Sequence, residues 1–182
     1  MVETNYNYYI VQARQSSSRL PNKILLELYP GYNSLKLLIE RLNSVYSKII
    51  ISTGNKNKNE GIVETCKNYK QEFFCGSDND VIDRYYNATS KLKPNDKIVR
   101  ITGDNPFVGI DVINYCTNYF KEQNKEYASC YYDKSWPNGT VVSVFNKSAL
   151  DKIHNLNNKD KRTKEHIIFG LEKLYGKQTI PC

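Results

Sequence analysis

YNYYIVQARQSSSRLPNK, residues 6–23, decides the fold. Tyr6 to Val11 is a short β-branched and aromatic run and reads as a strand. From Arg14 to Lys23 neither a helical nor a strand period survives, so the segment is a loop. A first strand therefore feeds a basic loop carrying Arg14, Arg19 and Lys23 and three consecutive serines, but no glycine. The question that runs outward from it is whether this loop grips phosphate or is only a solvated tether.

The next elements answer the question of architecture. Ser34 is placed to cap a helix whose Leu35, Leu38, Ile39 and Leu42 follow the spacing of one buried face. SKIIIST (47–53) suits a strand covered on both faces, and a helix follows near Glu60–Asn68. EFFC (72–75) is a short third strand, and Ser77, Asp78 and Asp80 stand where they cap a helix over about 80–89. DKIVRIT (96–102) is a fourth strand, closed by the turn GDNP. Val112, Ile113, Cys116 and Phe120 line the next helix. Later, YASC and TVVSVF read as added strands, with helices near 148–155 and 164–175. Strands alternating with helices at short intervals predict an α/β fold, three-layer αβα, with a mainly parallel mixed sheet. Neither an internal repeat nor a linker divides the chain, and its 182 residues fit one domain, 1–182.

Composition narrows the function classes. Apolar residues are 40% and charged residues 25%, as in globular chains. No run approaches the roughly 20 apolar residues of a membrane-spanning helix, and MVETNYNYY has no signal-peptide pattern, so a cytoplasmic protein is expected. Five scattered cysteines, never in C-x-x-C spacing, signal neither disulfides nor zinc, and His154 and His166 have no ligand spacing beside them. A net charge of +7 favours anionic partners, although many lysines fall in solvated stretches such as NNKDKRTKE. Nucleic-acid binding is disfavoured, because NYNYY and CYYDKSW do not alternate aromatics with cations along a strand.

In a parallel sheet, ligands sit beyond the carboxyl ends of the strands, which singles out ARQSSSRLPNK and TGDNP. Neither G-x-x-x-x-G-K-[ST] nor G-x-G-x-x-G is present. Two guanidiniums and an ammonium in the first loop suit a triphosphate, and Asp104 directly after a strand suits Mg²⁺. The plain alternatives are a solvated loop and a turn in which Asp104 bonds its own backbone.

Taken together, QARQSSSRLPNK, FFCGSDNDVIDRYYNA and VRITGDNP resemble, in order, the A-R-x-x-S-[ST]-R-L-P-x-K, G-S-x-x-D-V-[LI]-D-R-Y and R-I-T-G-D-x-P stretches of bacterial cytidylyltransferases. The likeness is to the spore-coat-polysaccharide type, related to acylneuraminate and 3-deoxy-manno-octulosonate cytidylyltransferases. It implies the Rossmann-like nucleotide-diphospho-sugar transferase fold. It also implies transfer of a cytidylyl group from CTP to an acidic or phosphorylated sugar in surface-polysaccharide precursor synthesis, with Mg²⁺ (or Mn²⁺), and a homodimer. Matching positions make Arg14, Lys23 and Asp104 the catalytic group, with Asp104 on the metal. Ala13, Ser17, Ser18, Arg19, Thr102 and Gly103 join Arg14 and Lys23 around the nucleotide. Arg84, Asn105, Trp136, Glu165 and His166 are weaker candidates for the sugar. Arg84 also has a structural reading on its helix, and Arg100 inside its strand is expected to carry a buried partner.

The chain departs from the pattern in three places. Where the family has P-D-G-x-D-V-E-V-F, PNGTVVSVF puts Val141 and Ser143 at acidic positions, leaving Asp104 to hold the metal unless Asp111 or Asp133 reaches in. Ser16 and Asn22 replace glycines in the first loop. The chain also ends early for the family, soon after KEHIIFGLEKLYGK, as one domain of a longer protein would. A catalytically degenerate nucleotide- or partner-binding domain is therefore the alternative reading.

Overall fold

The computed structural model describes residues 7–16, 20–157 and 159–182. A six-stranded sheet runs in the order β5-β4-β1-β6-β8-β7. β1 (Asn7–Gln12) lies between β4 (Ile49–Thr53) and β6 (Lys97–Thr102), and β5 (Phe73–Cys75) pairs with β4, all parallel. β8 (Ser143–Asn146) pairs antiparallel with both β6 and β7 (Tyr127–Ser129). This is the expected α/β sandwich with a mainly parallel mixed sheet.

Strand alternation decides what each face buries. Tyr9, Val11, Ile49, Ile51, Val99 and Ile101 point to one side, against α1 (Ser34–Asn43), α2 (Glu60–Asn68) and α4 (Ile110–Glu122). Ile10, Ile50 and Ile98 point to the other, against α3 (Val81–Ala88), α5 (Lys147–His154) and α7 (Ile167–Tyr175). Full burial of each Leu or Ile stabilises by about 1.5–3 kcal/mol, so these two clusters hold the layers together. The outer edge of β7 is covered by the chain's last residues: Ser129 N donates to the Gln178 carbonyl, and Ile180 N donates to that of Ser129.

Three details differ from the sequence reading. The cap of α1 is Asn33, whose Oδ1 accepts from Lys36 N at 3.0 Å, and Ser34 is the first helical residue. A hairpin, β2 (Glu27–Tyr29) with β3 (Tyr32–Asn33), turns on Pro30-Gly31, with Gly31 at φ 83°. The helix expected over 164–175 is broken: α6 (Lys161–Glu165) stops, His166 is extended at φ −136° and ψ 102°, and α7 restarts. The break leaves no backbone group of His166 unpaired, because its N–H donates to Arg162 and its carbonyl accepts from Phe169.

Candidate active site

Gln12 and Thr102 are register partners, so β1 and β6 end level with each other. Their loops then close together: Gly103 N donates to the Gln12 carbonyl at 2.8 Å. A Cβ on Gly103 would lie 2.6 Å from Ile24 Cδ1 and 3.1 Å from the Gln12 carbonyl oxygen. Glycine is needed at 103 for this nesting, not for an unusual φ.

The first loop is tied at both ends. Gln15 N donates to Asn59 Oδ1 at 2.9 Å, its Nε2 donates to Asn22 Oδ1 at 3.0 Å, and Asn22 N donates back to the Gln15 carbonyl at 2.9 Å. Asn22, at one of the family's glycine positions, takes the left-handed conformation at φ 58°, which asparagine tolerates better than most side chains. The single 3₁₀ turn that follows, Lys23–Leu25, buries Ile24 and swings Lys23 over the second loop. Ser17, Ser18 and Arg19 lie outside the described residues.

The two loops meet in an ion pair, Lys23 Nζ donating to Asp104 Oδ2. Partial burial pushes the Asp104 carboxyl up, but the hydrogen bond and charge of Lys23, with help from Thr102, outweigh it and hold the group below its ordinary value. Asn105 Nδ2 donates to Thr102 Oγ1 at 2.7 Å, which leaves the Thr102 hydroxyl hydrogen free to face Asp104. Ala13 is buried, with its N–H on the Ser52 carbonyl, and Arg14 is turned outward to solvent.

Beyond Asp104 lies a hollow of about 310 Å³. Its polar lining is Arg100, Thr102, Asp104, Asn105 and His166, and Tyr131, Val141 and Phe169 form an apolar wall. Arg100 is 5% exposed, with Nε on Gln12 Oε1 at 3.2 Å, and makes no ion pair among the described residues. The helix break brings His166 to the rim. Partial desolvation, then the charge of Arg100, depress its pKa; Glu165 opposes this, and Arg14 and Arg162 add to it.

Asn105 and His166 thus share a hollow with Asp104, and other sugar-site candidates stand elsewhere. Trp136 packs on the core and donates Nε1 to the Ile180 carbonyl at 3.0 Å. Arg84 is fully buried, bonding Ser52 Oγ through Nε at 3.2 Å and the Ser77 carbonyl through Nη1 at 2.7 Å, with Nη2 unpartnered among the described residues. Glu165 is not part of the hollow's lining. Sequence reasoning missed Gln15 and Asn59, which fix the loop, and Tyr131 and Phe169, whose aromatic character alone looks like core.

Val141 and Ser143, which the resemblance set against acidic residues, have separate fates. Val141 lines the hollow, whereas Ser143 is buried, its Oγ 2.8 Å from Ser129 Oγ. Asp133 does not reach in, its carboxylate accepting from Ser135 N and Cys182 N, and exposed Asp111 is not in the lining either. Asp104 is therefore the hollow's one carboxylate, and no cluster of three metal-ligating side chains exists among the described residues. This donor set fits Mg²⁺ arriving with phosphates, which needs only one or two protein carboxylates, and does not fit a resident all-protein metal cage.

A family model described as Cytidylyltransferase matches residues 8–177. An uncharacterised protein of Methanocaldococcus jannaschii is 41% identical over 160 residues, 87% of this chain and 63% of that protein. The spore coat polysaccharide biosynthesis protein SpsF of Bacillus subtilis is 30% identical over 166 residues, covering 87% and 67%. The chain thus spans about two-thirds of the length of these relatives. A solved cytidylyltransferase from Leptospira borgpetersenii superposes with a TM-score of 0.85 at 26% identity, over 97% of this chain and 76% of that one. A CMP:2-keto-3-deoxy-manno-octonic acid synthetase complexed with CTP shares the fold, with a TM-score of 0.71 at 14% identity over 97% and 90% of the two chains.

Proposed function

Because this chain belongs to the cytidylyltransferase family, we propose that it transfers a cytidylyl group from CTP to an acidic or phosphorylated sugar, releasing pyrophosphate, in the cytoplasmic synthesis of a surface-glycan precursor. The observation that carries the reading is the meeting of Lys23 and Asp104 from loops nested through Gly103.

In this reading Arg14 and Lys23, with Arg19, take the triphosphate, and Ala13, Ser17, Ser18, Thr102 and Gly103 lie along it. Asp104 would hold Mg²⁺, which when bound neutralises phosphate charge. The acceptor occupies the hollow between Asn105 and His166, its anionic group near Arg100. A sugar oxygen bonds to the α-phosphorus in line as the bond to pyrophosphate breaks. The protein contributes mostly position and fixed positive charge, which strengthen as charge moves onto the leaving group.

Thermal-shift titration of CTP, UTP, ATP and GTP, each with and without Mg²⁺, tests this. Selective stabilisation by Mg·CTP supports the reading, and no response to any of the four refutes it. Val141 and Ser143 favour a second reading, a nucleotide-binding domain without turnover. CTP binding with no pyrophosphate released against a panel of anionic sugars would select it.

A further inference from the structure

A second hollow, of about 400 Å³, adjoins the first and shares Tyr131 and Phe169 with it. Those two rings meet edge to face with centroids 6.1 Å apart. Three cations from three segments surround it: Lys134 after the 3₁₀ turn at 130–132, Arg162 in α6 and Lys177 beyond α7. Each is held by an aromatic face. The Arg162 guanidinium carbon is 3.7 Å from the Phe169 centroid, Lys134 Nζ is 5.5 Å from that of Tyr131, and Lys177 Nζ is 6.0 Å from that of Tyr132. None of the three forms an ion pair among the described residues.

Among the described residues the one carboxylate in the lining is Glu172, whose Oε2 accepts from the Tyr132 hydroxyl at 3.1 Å. Burial, with the Glu172 carboxylate adding to it, pushes that phenol up to about 12, so it stays a donor at neutral pH. Three cations against one occupied carboxylate leave the hollow with an excess of two positive charges. Aromatic faces, fixed cations and an oxygen acceptor are the complement of a saccharide ring bearing an anionic group. The sugar's anion meets the cations and its hydroxyls reach Glu172, with its ring against the aromatic surface that the cations leave uncovered.

We propose that this hollow binds an anionic saccharide unit, carboxylated or phosphorylated. One source is the far unit of an acceptor whose reacting unit fills the first hollow, which rests on the transfer reading above. The other is a separate anionic sugar, which does not.

The test is calorimetry on the whole chain with galacturonate, galactose 6-phosphate, digalacturonate and neutral galactose, comparing wild type with Lys134→Ala/Lys177→Ala. Both side chains are exposed, and a retained melting temperature checks that the variant folds. The expected result is that at least one anionic sugar binds, galactose does not, and the double variant weakens the anion about tenfold or more. Digalacturonate binding well above galacturonate, with the gain lost in the variant, assigns the site to the acceptor's far unit. Equal affinities, still dependent on the two lysines, assign it to a separate sugar. Silence from all anionic sugars, or binding that the double variant leaves unchanged, overturns the proposal. A wild type that binds these sugars through Lys134 and Lys177 but ignores Mg·CTP would sink the transfer reading alone.

Discussion

Replacing Asp104 by asparagine separates the two jobs that the ion pair with Lys23 hides. In the fold the pair does little: the two side chains are 31% and 44% exposed, and pairs of that kind contribute about 0.2–1 kcal/mol. For a chain of this size that is at most about 4 °C in melting temperature. For ligand, two opposite effects follow. Without metal, wild type must break the pair and bring the triphosphate up to a carboxylate, so the Asp104→Asn variant should bind metal-free CTP more tightly, by up to about fivefold. With Mg²⁺, the variant lacks the only carboxylate among the described residues that line the hollow, and losing one charge-assisted contact of about 1.5–3 kcal/mol weakens Mg·CTP roughly 10- to 150-fold. Calorimetric titration with CTP in excess Mg²⁺ and in EDTA reads both. A sign reversal between the two conditions is expected; weakening in both, or a melting temperature lower by ~10 °C or more, would show that Asp104 is a structural residue and refute the argument.

Gly103→Ala should cost about 1–3 kcal/mol through the contact with Ile24 Cδ1, and Ile24→Val, which removes that atom, should recover part of the loss in a double-mutant cycle of melting temperatures. Ser143→Asp puts a carboxylate in a fully buried hydroxyl pair and should destabilise by about 3 kcal/mol or more, whereas Val141→Asp, on the wall of the hollow, should melt close to wild type; denaturant unfolding distinguishes them. His166 has a folded pKa below its ordinary 6.5, so the folded state binds fewer protons, and a stability penalty sets in as pH falls through 6.5 and is complete below the folded value. His166→Gln should therefore flatten the stability profile on the acid side of 6.5, and an unchanged slope would show that another group produces it.

How much of this was legible follows from the range of each interaction. Helix faces and strand pairs repeat within a few residues, so Leu35, Leu38, Ile39 and Leu42 or KIVRIT announce themselves, and both loops fall where the α/β reading put them. The cap of α1 was displaced by one residue because Asn33 and Ser34 are both good caps, and the choice came from the strand Tyr32–Asn33 that delivers the chain. The break at His166 has no glycine or proline to mark it, and the ring that packs against its imidazole, Phe169, belongs to the helix that restarts after it. Gln15 was invisible for a similar reason, since its partners Asn22 and Asn59 are 7 and 44 residues away.

The charge balance explains why a site with so few acids still makes physical sense. Arg84 is buried without an ion pair among the described residues; burial above all, then the like charge of Arg14, works against its charged form, and Tyr85, Asp78 and Asp80 partly offset this. A guanidinium in that position carries a desolvation cost that further negative charge nearby would reduce. Arg100 is nearly as buried and equally without a carboxylate among the described residues. Among the described residues no carboxylate but Asp104 lines the hollow, and Lys23 already occupies that one. A triphosphate beside Arg14 and an anionic acceptor beside Arg100 would supply the missing negative charge from outside. On this argument a hollow with a single carboxylate still suits two anionic ligands. Binding would then depend steeply on the charge of both ligands, so a neutral sugar should be rejected.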